Sequence, residues 1–387
     1  MDNFSFCTPT QVHFGRGSLD HLYDEVTAVG KKVLLVYGGN SIKRSGLYDK
    51  VKDILSDCEI YEQGGVEPNP RVTSVRAGAQ LCKEHGIDVV LAVGGGSVLD
   101  CAKIICAAAY YDGDAWDLVL DGTKIKKALP LITVLTLAAT GSEFDSAAVI
   151  TNLDTDEKLG VLNPHLYPRV SLLDPELTFS VPANQTAAGS ADIMSHIFEQ
   201  YFASETNMVA DGMCETVLRT VIASCPRAIA NPSDYEARSQ LMWASSLACN
   251  GFCSLGNGVR PWPCHAMEHE LSAYYDITHG VGLAILTPRL MRFSLNEKTV
   301  ERYCHYGKAV FDLPEESDRM AMAQKAIAKT EEFFKSIGLP DNLTVLGIDD
   351  KHIDDMAKHA FEHNGAFHLC MVPMTLEDIK RVYCECL

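Results

Sequence analysis

Asp192 and His196 stand four residues apart in an apolar stretch (Ile193, Met194, Ile197, Phe198), and His265, His269 and His279 follow as a second cluster. On a helix, an i, i+4 pair leaves from one face with Cβ atoms about 5–6 Å apart. One carboxylate with several imidazoles is a donor set for a catalytic divalent metal, with a position left open for substrate. The apolar setting strengthens the pair, because buried polar groups need partners and a metal satisfies both. His265-Ala266-Met267-Glu268-His269 also reads as H-x-x-E-H, in which two histidines bind zinc and the glutamate activates water for peptide hydrolysis. That rival leaves Asp192 and His196 without a role.

Three loops of small residues follow apolar runs. Gly94-Gly95-Gly96-Ser97 closes the run Asp88–Val93 and opens a helical pattern, so its backbone N–H groups and the helix dipole suit a pyrophosphate. It is not G-x-G-x-x-G, and a plain strand-to-helix turn fits it as well. Gly38-Gly39-Asn40-Ser41 ends the run Lys32–Tyr37, and Thr136 to Glu143 follows Pro130–Leu135. The last loop lacks G-x-S-x-G, which argues against a serine nucleophile. Hydrogen bonding to a cofactor, or a helix cap, are its two readings.

These runs are short, continuous and apolar, and helical patterns over 47–55 and 98–109 separate them. That describes a parallel sheet covered on both faces. Near Asp174-Pro175 the pattern changes, and helical periodicity takes over at 183–202, 208–223, 235–249 and 320–337. The expected organisation is an α/β half over 1–180 and an all-helical half over 181–387. A chain of 387 residues is long enough for two cores. The net charge of −18 argues against nucleic acid and against anionic membranes. Fourteen cysteines, scattered and without C-x-x-C, read as buried small hydrophobes in a reduced, cytoplasmic protein. No leader or membrane-length apolar segment is visible, and the terminal Cys384-Glu385-Cys386-Leu387 reads as a chance match to a prenylation box.

Together with Thr10-Gln11-Val12-His13-Phe14-Gly15-Arg16-Gly17, Val66-Glu67-Pro68-Asn69-Pro70, the stretch from Gly94 to Lys103 and Ala139-Thr140-Gly141-Ser142-Glu143, these motifs make the chain resemble the iron-containing (group III) alcohol dehydrogenases over nearly its whole length. The similarity is to the butanol dehydrogenase and aldehyde reductase branch. It implies a Rossmann-like α/β domain followed by an all-α domain, an architecture shared with dehydroquinate synthase. The implied metal ligands are Asp192, His196, His265 and His279, holding Fe²⁺, with Zn²⁺ as the alternative. His269 is implied as the proton-transfer residue. The implied cofactor contacts are Gly38, Gly39, Asn40, Ser41, Asn69, Gly95, Gly96, Ser97, Asp100, Thr136, Thr140, Ser142 and Lys158. The reaction expected is reversible reduction of a small aldehyde to a primary alcohol by a cytoplasmic homodimer.

NADPH is expected over NADH. NAD-selective relatives carry an acid after the strand that ends here at Tyr37, whereas this chain has Gly38-Gly39-Asn40, with Lys43 and Arg44 nearby. Leu271 and Ser272 replace the usual local glycine, and Thr278 rather than proline precedes His279, which sets the chain apart from the propanediol and methanol branches. A dehydroquinate synthase-like metal and NAD lyase remains an alternative, although it needs a basic pocket and this region offers few Lys or Arg residues.

Overall fold

The computed structural model describes residues 1–202, 207–257, 262–363 and 366–387. The chain forms two compact units. The first comprises Cys7–Val181 with Pro232–Asn250, and the second Met1–Phe6, Pro182–Asn231 and Gly251–Leu387.

The first unit is built on strands β1 (Gln11–Phe14), β2 (Lys32–Tyr37), β3 (Glu59–Gln63), β4 (Val89–Gly94), β5 (Leu131–Leu135), β6 (Ala147–Asn152), β7 (Glu157–Leu162) and β8 (Val170–Leu173). Six of them form one parallel sheet in the order β1-β8-β5-β4-β2-β3. Side chains alternate across a strand. Val33, Leu35, Val89, Leu91, Val93, Ile132 and Val134 therefore join one apolar cluster. Leu34, Val36, Val90 and Ala92 join another, with Leu99 and Ile105 of helix Gly96–Ala108. Apolar residues at successive positions thus follow from a sheet buried on both faces. The chain order reverses between β2 and β4, which puts the topological switch point between the turns that follow those two strands.

The second unit contains helices and no strand among its described residues. Its apolar centre includes the rings of Phe198, Tyr201, Phe202, Trp262, Tyr303 and Tyr306. Arg302 lies 3.6 Å from the centre of the Tyr201 ring and bonds both oxygens of Asp211, so its buried charge is matched.

The chain passes between units at Val181 and Pro182, but two segments depart from a single division at residue 180. Helix Tyr235–Cys249 returns to the sheet-bearing unit, while Met1–Phe6 joins the helical one. Local contacts explain the return. Ser246 Oγ donates to Glu143 at 2.5 Å, and Met242 enters the sheet's core. At Gly141 (φ 71°) a Cβ would sit 2.7 Å from the Ser245 carbonyl oxygen, so the backbones nearly touch. The hairpin β6–β7 is antiparallel and outside the parallel sheet.

Candidate active site

Helix Ala183–Tyr201 carries Asp192 and His196 on one face. His265 is the second residue of helix Cys264–Tyr275, and His279 opens helix His279–Ser294. Asp192 Oδ1 lies 3.3 Å from His196 Nε2, 3.4 Å from His265 Nε2 and 3.7 Å from His279 Nε2. Bonds of about 2.0–2.2 Å to a tetrahedral ion would put its donors roughly 3.4 Å apart. Asp192 Oδ1 and His265 Nε2 are both buried, and neither makes a hydrogen bond among the described residues. Orphaned polar atoms that face one another at ligand spacing fit a shared cation.

The remaining ring nitrogens are held by carboxylates. His265 Nδ1 is 2.6 Å from Glu199 Oε1, which also accepts from the His265 backbone N–H at 3.0 Å. His279 Nδ1 bonds Glu268 Oε2. Such partners fix the tautomer and turn Nε2 toward the metal. Burial alone would raise the Asp192 carboxyl, but the adjacent imidazoles, His196 first, hold it well below the usual carboxylate range. Burial, helped by His265, pushes His196 down to about 4, leaving it neutral and ready to ligate. His265 is held up at about 10 by Glu199 and Asp192 against the effect of burial. Three carboxylates, those of Asp192, Glu199 and Glu268, adjoin the imidazoles, and a divalent cation would complete the site.

His269 lies one turn beyond His265, with its ring centre 6.2 Å from that of His265 and 5.7 Å from that of His279. Donor atoms of Glu268, His269 and His279 also come within 4.8 Å of one another, a grouping that overlaps the peptidase motif. The state of Glu268 argues against peptide hydrolysis. It is fully buried, accepts from Ser272 at 2.5 Å on one oxygen and holds His279 with the other, so both oxygens are already engaged in orienting the protein's own groups. Glu199 has no counterpart among the sequence-level candidates. Its signal was its place on the Asp192 face, three residues after His196.

In the sheet-bearing unit, the three loops follow adjacent strands β2, β4 and β5. Gly39, Asn40 and Ser41 are exposed, Gly95 and Ser97 half-buried. The loops after β4 and β5 pack on one another, and the one after β2 packs on the segment after β3. A Cβ on Gly96 would lie 2.4 Å from Thr140 Oγ1, one on Gly95 3.1 Å from Leu137, and one on Gly38 3.3 Å from the Val66 carbonyl oxygen. Thr136 N–H donates to the Gly94 carbonyl at 2.9 Å. Asn69 is buried with φ 50°, a conformation asparagine tolerates, and Lys158 is buried on β7. Asp100 and Ser142 are buried and bonded to one another. Ser142 Oγ donates to Asp100 at 2.6 Å and Val149 N–H to its other oxygen at 2.9 Å, so both side chains are engaged within the protein.

A model of "Iron-containing alcohol dehydrogenase" matches residues 9–175, and one of the "Fe-containing alcohol dehydrogenase family, C-terminal" matches 186–387. The chain belongs to the iron-containing alcohol dehydrogenase family. It is 50% identical over 386 residues to NADH-dependent butanol dehydrogenase A of Clostridium acetobutylicum, covering 99% of both chains. It is 36% identical to the NADPH-dependent aldehyde reductase YqhD of Escherichia coli, again over 99% of each. The crystal structure of NADH-dependent butanol dehydrogenase A from Thermotoga maritima superposes with a TM-score of 0.95 at 38% identity, covering 100% of this chain and 99% of that one. Membership makes this chain an oxidoreductase, and no helix among its described residues is long and apolar enough to cross a membrane.

Proposed function

We infer that this iron-containing alcohol dehydrogenase family member reduces small aldehydes reversibly to primary alcohols with NAD(P)H, as a butanol dehydrogenase or aldehyde reductase. The observation that carries the metal-dependent reading is the convergence of three imidazole Nε2 atoms on one oxygen of Asp192. Asp192, His196, His265 and His279 would hold the metal, and His269, beside them, would pass the proton to the product oxygen. Gly38, Gly39, Asn40, Ser41, Asn69, Gly95, Gly96, Ser97, Asp100, Thr136, Thr140, Ser142 and Lys158 would hold the coenzyme. This makes residues 1–180 the dinucleotide-binding part and 181–387 the metal-binding part, apart from the segments exchanged between units. When bound, the two groups supply Lewis-acid polarisation of a carbonyl oxygen and delivery of hydride. The chain's own residues orient the donors, match their charge and supply the proton route. Loss of NADPH or NADH absorbance on adding butanal, abolished by a chelator, tests the reading; no absorbance change with any small aldehyde overturns it.

Glu199 and Glu268 fix the orientation of two proposed ligands, so Glu199→Gln and Glu268→Gln are each expected to weaken metal binding about 10–100-fold. Competition against a chromogenic chelator measures this directly. Metal retention equal to the parent protein would show that the two carboxylates are incidental.

NADPH is proposed as the preferred coenzyme because the turn after β2 presents no carboxylate to a 2′-phosphate. The relatives divide, those from Clostridium and Thermotoga being named NADH-dependent and that from Escherichia coli NADPH-dependent. A higher kcat/KM with NADH than with NADPH refutes the preference. Gly39 has open space where a side chain would go. Gly39→Asp is therefore expected to fold normally and to move the ratio toward NADH by about tenfold, the weight of one close charge contact. Iron as the resident ion and a homodimeric assembly rest on the family resemblance, and a cytoplasmic location on the scattered, free cysteines. Metal analysis and light scattering on purified protein test the first two.

A further inference from the structure

Ser272 is one of the residues that set this chain apart at the histidine cluster, and the site as described gives it no task of its own. It has no exposed surface, and its Oγ donates to Glu268 Oε1 at 2.5 Å. The other oxygen of Glu268 bonds Nδ1 of His279. Ser272 lies one turn beyond Glu268 on helix Cys264–Tyr275, so both side chains leave from one face. A hydroxyl within a helix commonly turns back to the carbonyl four residues before it. Thr216, Thr220, Thr287 and Ser294 all do so here, at 2.7–2.8 Å. Ser272 bonds the side chain four residues back instead.

Holding a carboxylate still takes two anchors. The terminal torsion of a glutamate is soft, so a bond to one oxygen leaves the group free to turn about it. The serine hydroxyl is the second anchor, and hydrogen bonds to a carboxylate are of the strong, short kind. From the neighbouring helix, a Cβ at Gly282 would lie 2.7 Å from Glu268 Cγ and 3.0 Å from Oε1, so that helix already packs tightly on the same side chain. Glu268 is thus set between serine and imidazole, and it aims the His279 ring.

We propose that Ser272 is a positioning residue for metal binding, acting through Glu268 to keep His279 Nε2 in its ligating direction. The proposal deepens the metal-centre reading and rests on it. Ser272 reaches neither ion nor substrate; the relay runs from hydroxyl to carboxylate to imidazole.

The test is the affinity of the full-length protein for Zn²⁺, by competition with a chromogenic chelator, for Ser272→Ala, Glu268→Ala, the double variant and Asp192→Ala. Outer-shell partners are worth about 10–100-fold in metal affinity, and Ser272→Ala is expected to lose roughly tenfold. The double variant is expected to bind about as weakly as Glu268→Ala alone, because the hydroxyl then has nothing left to position. Losses that multiply would overturn the relay, since the serine would be acting by another route. So would a folded Ser272→Ala protein with a lowered Tm and an unaltered Kd, the mark of a merely structural hydroxyl. Ser272→Cys, which exchanges a strong donor for a weak one of similar size, is expected to weaken zinc binding too and decides the matter if Ser272→Ala fails to fold. Asp192→Ala separates the two layers of inference. If it loses zinc while the Ser272 variants bind like the parent, the relay alone is refuted. If it also binds like the parent, the metal-centre reading falls and the relay with it.

Discussion

Asp192→Ala or His279→Ala is expected to yield protein with little bound metal and with turnover reduced by about 10³-fold or more, since several kcal/mol of charge stabilisation goes with the ion. His269→Ala is expected to keep its metal and lose roughly 10²-fold in rate, the size of a single proton-transfer contribution. The contrast follows from position. Asp192 contributes the oxygen on which three Nε2 atoms converge, and His279 contributes one of those three. His269 lies a turn away, with its ring centre 6.2 Å from that of His265. Metal content per chain and steady-state reduction of butanal, measured on the same preparations, give both quantities. A His269→Ala protein that folds normally but has lost its metal would show that the ligand set is wrong and revive the H-x-x-E-H reading. Partial recovery of its rate with small external proton donors would support the relay.

A substitution that touches no ligand is expected to be nearly as damaging. At Gly280 an added Cβ would lie 2.0 Å from the Ala188 carbonyl oxygen and 2.5 Å from its carbon. These are backbone atoms of a helix interior and cannot rotate away, so helix His279–Ser294 must move off helix Ala183–Tyr201. Overpacking of this kind costs about 1–3 kcal/mol and sometimes more. Here it carries a second consequence, because His279 is the residue before Gly280 and Asp192 lies one turn beyond Ala188. Gly280→Ala should therefore lower Tm and weaken metal binding together, as thermal melts with and without chelator would show. A Tm within a degree or so of the parent would mean that the two helices do not meet as closely as described.

The partition between what was readable and what was not follows sequence separation. Asp192 and His196 announce themselves because a helix turns a four-residue spacing into one face. The runs ending at Tyr37, Val93 and Leu135 could be read as buried strands because both faces are covered and each position is apolar. β3, by contrast, is an edge strand of sequence Glu-Ile-Tyr-Glu-Gln and carries little apolar signal. The hairpin β6–β7 turns at Asp156 with φ 52°, a position that glycine or asparagine would have flagged more strongly. Glu199 and His265 are 66 residues apart, and no local pattern joins them. Lys103 was hidden for another reason. A lysine is ordinarily exposed, and only three acceptors supplied from Asp145 and Ala147 make its burial tolerable.

The return of helix Tyr235–Cys249 to the sheet-bearing unit bears on how this molecule can be divided. The polypeptide crosses from one unit to the other after Phe6, Val181, Asn231 and Asn250. A fragment ending at residue 180 would lack Met242 from its apolar core and the Ser246 hydroxyl from the buried Glu143. Its counterpart, starting at 181, would carry a helix with no sheet-side partner and would lack the Met1–Phe6 segment. Domain shuffling by a single cut is therefore closed to this chain. Splicing would have to transplant two discontinuous pieces at once, and a ribosome must release residue 249 before the core of the sheet-bearing unit can close.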